Sequence, residues 1–176
     1  MPLLDVEPMK QQHRNSCWAT CVRMVLWFNQ LYVTSDDALA NKLGVDADRC
    51  TDVKDIMELC NIYEMGESDV RADFNDLLNA LNSGNPIIQC VSEVRPNKGK
   101  ASTGGHYILI IGCTDQQTSS GTTPPSITVI DPADGKIHSG IPYVGGAIAI
   151  PGYAKTLFYT AAYYSMKGAP FKTVGK

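Results

Sequence analysis

Several things are scarce in this sequence, and each scarcity removes a class of protein. No apolar run approaches the roughly 18 residues that a membrane-spanning helix needs; the longest strongly apolar run is Tyr107 to Ile111. The N-terminal stretch MPLLDVEPMKQQHRN has no basic segment followed by an apolar one, so a secretory signal peptide is not expected. Charged residues are 19% of the chain and hydrophobic ones 44%, the wrong balance for disorder. A net charge of −3 leaves no broad basic footprint for nucleic acid. There is no CxxC pair, and His13, His106 and His138 are not grouped near cysteines, so no metal site is expected. Nor is any cofactor. No internal repeat or linker divides the 176 residues, which suit one domain spanning 1–176. A chain of that size buries enough surface to need no disulfide staples.

What is present begins with six cysteines, at 17, 21, 50, 60, 90 and 113. Without a signal peptide they are expected to be mostly reduced. Cys50, Cys60, Cys90 and Cys113 sit among apolar neighbours and read as small buried hydrophobes. The first half of the chain reads helical. Cys17–Leu31 carries apolar residues at helical spacing, with Asn15 and Ser16 as N-cap candidates. Ser35 caps a predicted helix over Asp36–Leu43 that Gly44 stops. Thr51 or Asp52 caps one over Val53–Cys60, and Asp73 one over Phe74–Leu81. The acids at 36–37 and 46–48 read as solvated faces and caps, and Trp18 and Trp27 as core anchors.

The second half reads as strands: Pro86–Ser92, His106–Cys113, Ile127–Asp131, a return strand from Lys136 to Ser139, and Thr156–Tyr164. The turn residues of Asp131-Pro132-Ala133-Asp134-Gly135 separate the third from the fourth. Arg95–Gly105 and Asp115–Ser126 are rich in loop-forming residues, and Tyr143–Gly146 reads as a hairpin turn. Helices first and strands second is an α+β order.

Three residues stand where chemistry needs them. Cys17 opens a predicted helix, where the dipole and free N–H groups stabilise a thiolate whose ordinary pKa is ~8.5. Its own N–H is a natural oxyanion donor, and Gln11, six residues upstream, is a candidate for the second. His106 opens a strand after two glycines, from which it can face a partner helix. If its strand pairs antiparallel with Ile127–Asp131, Asp131 lies beside it and can orient the ring through Nδ1. Asp134 is the alternative to Asp131, and Gln12, five before Cys17, the alternative to Gln11. Cys21 lies one helical turn after Cys17 and reads as core, His13 as part of the approach to the helix, and His138 as surface.

Taken together, Gln11…Ser16-Cys17-Trp18-Ala19, Gly105-His106-Tyr107 and Val129-Ile130-Asp131-Pro132 resemble the signatures of the papain-like cysteine protease superfamily. The small size and the Asp in third place are similar to compact bacterial branches, the bacteriocin-leader-processing peptidases and the avirulence-effector proteases. The resemblance covers about residues 8–165. It implies a helical lobe over about 8–84, an antiparallel β lobe over about 85–165, and a catalytic cleft between them. It also implies Cys17 as nucleophile, His106 as base, Asp131 as orienter and Gln11 as oxyanion donor. The His–Asp spacing of 25 is longer than is usual in these branches.

The function expected is a cysteine protease acting on a protein or peptide substrate, in the setting of a bacterial secreted effector or toxin. Such a chain is expected in the cytoplasm or exported without a signal peptide, with an inhibitor or immunity protein as a further partner. A different class, acyl transfer by the same three residues, covers transglutaminase, deamidase and peptidoglycan amidase reactions. A catalytically silent binding module is the third reading, against which the intact set of Gln11, Cys17, His106 and Asp131 speaks.

Overall fold

Helix α1 (Cys17–Phe28) is apolar on so much of its circumference that it has to be covered on nearly every side, and residues Cys17 to Leu26 are all buried. In the computed structural model, which describes residues 2–51, 53–68, 74–92, 105–114, 117–118, 121–122, 124–144, 147–153 and 157–165, the cover comes from two sources. One is a pair of short helices, α2 (Asp36–Leu43) and α3 (Val53–Ile62); the other is a seven-stranded antiparallel sheet. Ser35 caps α2 by accepting from the Ala38 N–H at 3.1 Å, and Gly44 ends it in the left-handed conformation, φ 67°. Both follow the expected start and stop chemistry. The caps proposed at Asp52 and Asp73 lie outside the described residues.

The sheet is built from β1 (Met65–Ser68), β2 (Ile87–Ser92), β3 (His106–Thr114), β6 (Ser126–Asp131), β7 (Lys136–Pro142), β8 (Ala147–Ile148) and β9 (Leu157–Ser165). Its order is β1-β9-β2-β3-β6-β7, with β8 paired to the start of β9. A separate two-stranded ladder, β4 (Gln117–Thr118) with β5 (Gly121–Thr122), lies in the stretch read from sequence as loop. The other loop of the sequence reading, Arg95–Gly105, lies outside the described residues except for Gly105. Strand β1 was not anticipated. Its four residues, MGES, carry no β-branched or aromatic side chain, and only pairing with β9 makes them a strand.

Alternation along the strands divides the core in two. On one face Ile88, Cys90, Tyr107, Leu109, Ile111 and Ile130 pack against α1, α2 and α3. On the other Ile87, Val91, Ile108, Ile110 and Val129 pack with Leu77 and Leu81 of α4 (Phe74–Asn82). The sheet is thus a middle layer, which is why β2 and β3 read as continuous apolar runs rather than alternating ones. β2 pairs with β3 only as far as Ile87 opposite Ile110, and beyond that point the N-terminal segment joins β3, with Leu3 bridging Gly112 and Leu4 N–H donating to the Ile111 carbonyl at 2.8 Å. Among the described residues no helix is long and apolar enough to cross a membrane.

Candidate active site

The start of α1 is held by a buried carboxylate. Asp36, expected on a solvated face, is wholly buried: its Oδ2 accepts from Ser16 Oγ at 2.6 Å, Thr20 Oγ1 at 2.9 Å and the Gln12 N–H at 3.0 Å. Its Oδ1 accepts from Arg23 at 2.8 Å, and its own N–H donates to Gln12 Oε1 at 2.7 Å. One charge therefore gathers the residue before Cys17, two residues of α1 and the approaching segment, and Arg23 neutralises it. Because Ser16 is engaged by Asp36 it makes no side-chain cap, and Asn15 binds Asp48 instead, so neither expected N-cap serves α1. The first-turn N–H groups, Cys17 among them, are left without a side-chain partner at the helix's positive end.

Opposite Cys17 the sheet presents His106 and Asp131. β3 and β6 pair antiparallel, with Leu109 opposite Ile130, so the beginning of one strand lies by the end of the other as the sequence suggested. His106 Nε2 lies 2.6 Å from Asp131 Oδ1. The bond uses Nε2 and not the expected Nδ1, and Cys17 of α1 is the other side chain that acts on the ring. Burial lowers the proton affinity of the His106 ring, but Asp131 and Cys17 outweigh it and raise the pKa to about 9. Asp131 feels burial upward, yet His106 and the Ala133 N–H at 2.8 Å hold its carboxyl below the ordinary range. Asp134, the alternative orienter, instead meets His138 at 3.1 Å.

A cavity of about 430 Å³ opens between these elements, with Asn15, Cys17 and Trp18 on one side and Val91, Ser92, Gly105 and His106 on the other. Gly105 admits the close approach of β2. A Cβ there would lie 2.7 Å from Cys90 Sγ and 2.7 Å from the Val91 carbonyl oxygen. Cys60, Cys90 and Cys113 are buried as expected, and no cysteine is in a disulfide. Cys50 is the correction: it is exposed and lines the cavity, in a turn before α3 whose neighbours Asp48 and Arg49 are exposed as well. Cys21 is buried beside Cys17, and burial, then the Cys17 charge, pushes its thiol pKa well up. Among the described residues no three His, Cys, Asp or Glu side chains gather as metal ligands.

Gln11 is not among the residues that line the cavity. Its N–H donates to the Pro132 carbonyl at 2.8 Å, tying it to the Asp131 turn. Its amide nitrogen donates to the carbonyls of His13 at 2.9 Å and Arg14 at 2.6 Å, and its Oε1 is buried without a partner. Gln12 is turned to α2, and His13 pairs with Asp37 at 3.1 Å.

Sequence reasoning missed Tyr153, in the loop before β9. Its ring centroid lies 5.6 Å from that of His106, and it lines the cavity beside it. A single tyrosine far along the chain from any motif gives no signal for this. A search of curated proteins returns no match. A family model, in contrast, matches residues 3–143, a span that takes in the Gln11–Cys17 segment, the His106 strand and the Asp131 turn. The chain belongs to the Peptidase_C39-like family, within the papain-like cysteine peptidase superfamily.

Proposed function

We propose that this cysteine peptidase hydrolyses peptide bonds of a protein substrate with Cys17, His106 and Asp131. The observation that carries the reading is the meeting of Cys17, at the bare N-terminus of α1, with a His106–Asp131 pair across one cavity. An imidazolium beside a sulfur favours the thiolate, the reactive form. Cys17 sulfur attacks the scissile carbonyl carbon, and the carbonyl oxygen becomes an oxyanion. The Cys17 N–H receives that oxygen, with the Gln11 amide as second donor once it releases one of its two loop carbonyls. His106 then gives its proton to the leaving amine, and the acyl group stays on sulfur as a thioester. His106, now neutral, takes a proton from water, whose oxygen attacks the thioester and regenerates Cys17. Asp131 holds the ring by Nε2 throughout.

A bacterial secreted effector or toxin is the setting that the resemblance to compact bacterial branches supports. The test is mass spectrometry of a proteome incubated with the wild-type protein and with Cys17→Ala. New peptide termini made by the wild type alone are the expected result. Cross-linked or deamidated glutamines without new termini would reassign the chain to acyl transfer. Termini made equally by Cys17→Ala would remove Cys17 from the chemistry.

A further inference from the structure

The segment that leads into α1 is laid along the turn that carries Asp131. The Gln11 N–H donates to the Pro132 carbonyl at 2.8 Å, and one residue earlier Lys10 rests on Gly135. A Cβ at Gly135 would lie 2.9 Å from Lys10 Cβ, 3.1 Å from its nitrogen and 3.2 Å from its Cα, and the last two are backbone atoms that cannot swing aside. From there the connection to the nucleophile is continuous. The Gln11 amide donates to the His13 and Arg14 carbonyls, and the His13 N–H donates to Ser16 Oγ at 3.1 Å, next to Cys17. In the other direction the Gly135 N–H donates to the Asp131 carbonyl at 2.8 Å, and the Ala133 N–H to the Asp131 carboxylate.

We propose that Gly135 is a positioning residue of this site: having no side chain, it lets the Lys10–Gln11 backbone seat on the Asp131–Gly135 turn, and that seat sets how far Cys17 stands from the His106–Asp131 pair. Cys17 is carried by a helix and the pair by a sheet, so their separation depends on what joins the two layers at the cleft. Asp36 anchors the approach to Cys17 on the helical side, through Gln12 and Ser16. The Gly135 seat anchors the same approach to the end of β6. The mutual stabilisation of thiolate and imidazolium falls with their separation, and a reacting group misplaced by about 1 Å is costly. A side chain at 135 would push Lys10 and Gln11 off the turn and loosen that spacing.

The inference rests on the thiolate–imidazolium pair proposed above, and its test tells the two apart without turnover. Alkylation by iodoacetamide is followed at pH 6 and pH 9, read at Cys17 by peptide mass spectrometry, in the full chain and in its variants Gly135→Ala and Gly140→Ala. Gly140, in β7, is the control for backbone strain. Its φ is 70° against 69° at Gly135, but a Cβ there meets nothing within 4 Å. Both variants strain a left-handed backbone, and only Gly135→Ala also meets Lys10. The wild type and Gly140→Ala are expected to react at pH 6 nearly as fast as at pH 9, because the paired thiolate persists. In Gly135→Ala the rate at pH 6 relative to pH 9 is expected to fall about tenfold or more, toward the roughly hundredfold drop of a thiol with the ordinary pKa of ~8.5. Gly135→Asn and Gly140→Asn replace the alanine variants if those do not fold, since asparagine tolerates positive φ better. A Gly135 variant with the wild-type ratio, or a Gly140 variant with the same fall, overturns the proposal and leaves the pair standing. A wild type that itself drops a hundredfold overturns the thiolate–imidazolium pair and this inference with it.

Discussion

At the scale of single residues, two cysteines share the cavity and should differ in reactivity. Cys50 is exposed, Cys17 almost covered, so access alone would favour Cys50. Only Cys17 has the imidazolium of His106 and the positive end of α1 beside it. Limiting iodoacetamide near pH 6 should therefore label Cys17 before Cys50, read by peptide mass spectrometry; labelling of Cys50 first would show that access outweighs the electrostatics. His106 sets the other end of the range. Its folded pKa is raised from 6.5 to about 9, so the charged pair stabilises the protein fully below pH 6.5. That contribution is lost as pH rises through about 9, and activity should fall over the same interval. Asp131→Ala should bring the alkaline limb of kcat/KM down toward 6.5, and a limb left in place would mean that Asp131 does not hold the His106 proton.

Gln11 presents a sharper choice. Its amide serves the backbone of its own segment, while the resemblance to papain-like proteases implies an oxyanion donor at its six-residue spacing from Cys17. As a donor, its loss in Gln11→Ala should lower kcat by ~10²–10³ with little change in KM. A variant that melts lower but turns over at the wild-type kcat would make Gln11 a strut for residues 13–14. Gln12→Ala should instead act on stability, since Gln12 is bonded to Asp36 from both ends of its residue.

At the scale of elements, α1 is aimed by its junction with α2 as much as by its own packing. Asp36 accepts three hydrogen bonds on one oxygen and the Arg23 guanidinium on the other, all out of water. Removing one partner of such a buried pair strands the other, at ~3–5 kcal/mol. Asp36→Ala should lose about that much stability in urea melts, and the folded fraction should react more slowly at Cys17, because Ser16 is then released. Loss of stability of the size seen for an exposed acid such as Asp37 would mean that the network is not formed. The helices α2, α3 and α4 begin where the sequence placed them, because apolar spacing is local; of the expected caps Ser35 serves α2, while the Thr51 hydroxyl has no hydrogen-bond partner. β1 was invisible because nothing in Met65–Ser68 favours a strand until β9 runs alongside.

At the scale of the whole molecule, the sheet joins two cores that share β2, β3 and β6. Ile108 and Leu109 are neighbours on β3, both without exposed surface, yet one faces the α4 side and the other the α1 side. Truncating either should cost ~2–5 kcal/mol, and melts followed by fluorescence and by circular dichroism should still coincide in a single transition. Two separated transitions in Ile108→Ala would show that the faces unfold independently.

The α+β order, the three motifs and their placement at a helix start, a strand start and a strand end were all present in the sequence, because capping, periodicity and turn chemistry act over a few residues. Tertiary structure decided what depends on pairing across the chain. It set which ring nitrogen meets Asp131, since that follows from the side-chain torsions adopted in the packed site rather than from either segment's sequence. It put Asp36 in the interior and Cys50 on the cavity wall, against the reading that their neighbours suggested. And it brought Tyr153, 22 residues beyond Asp131, beside the ring of His106. Burial and contact with a distant residue have no local signature, so a polar side chain reads as solvated until the fold supplies its partner.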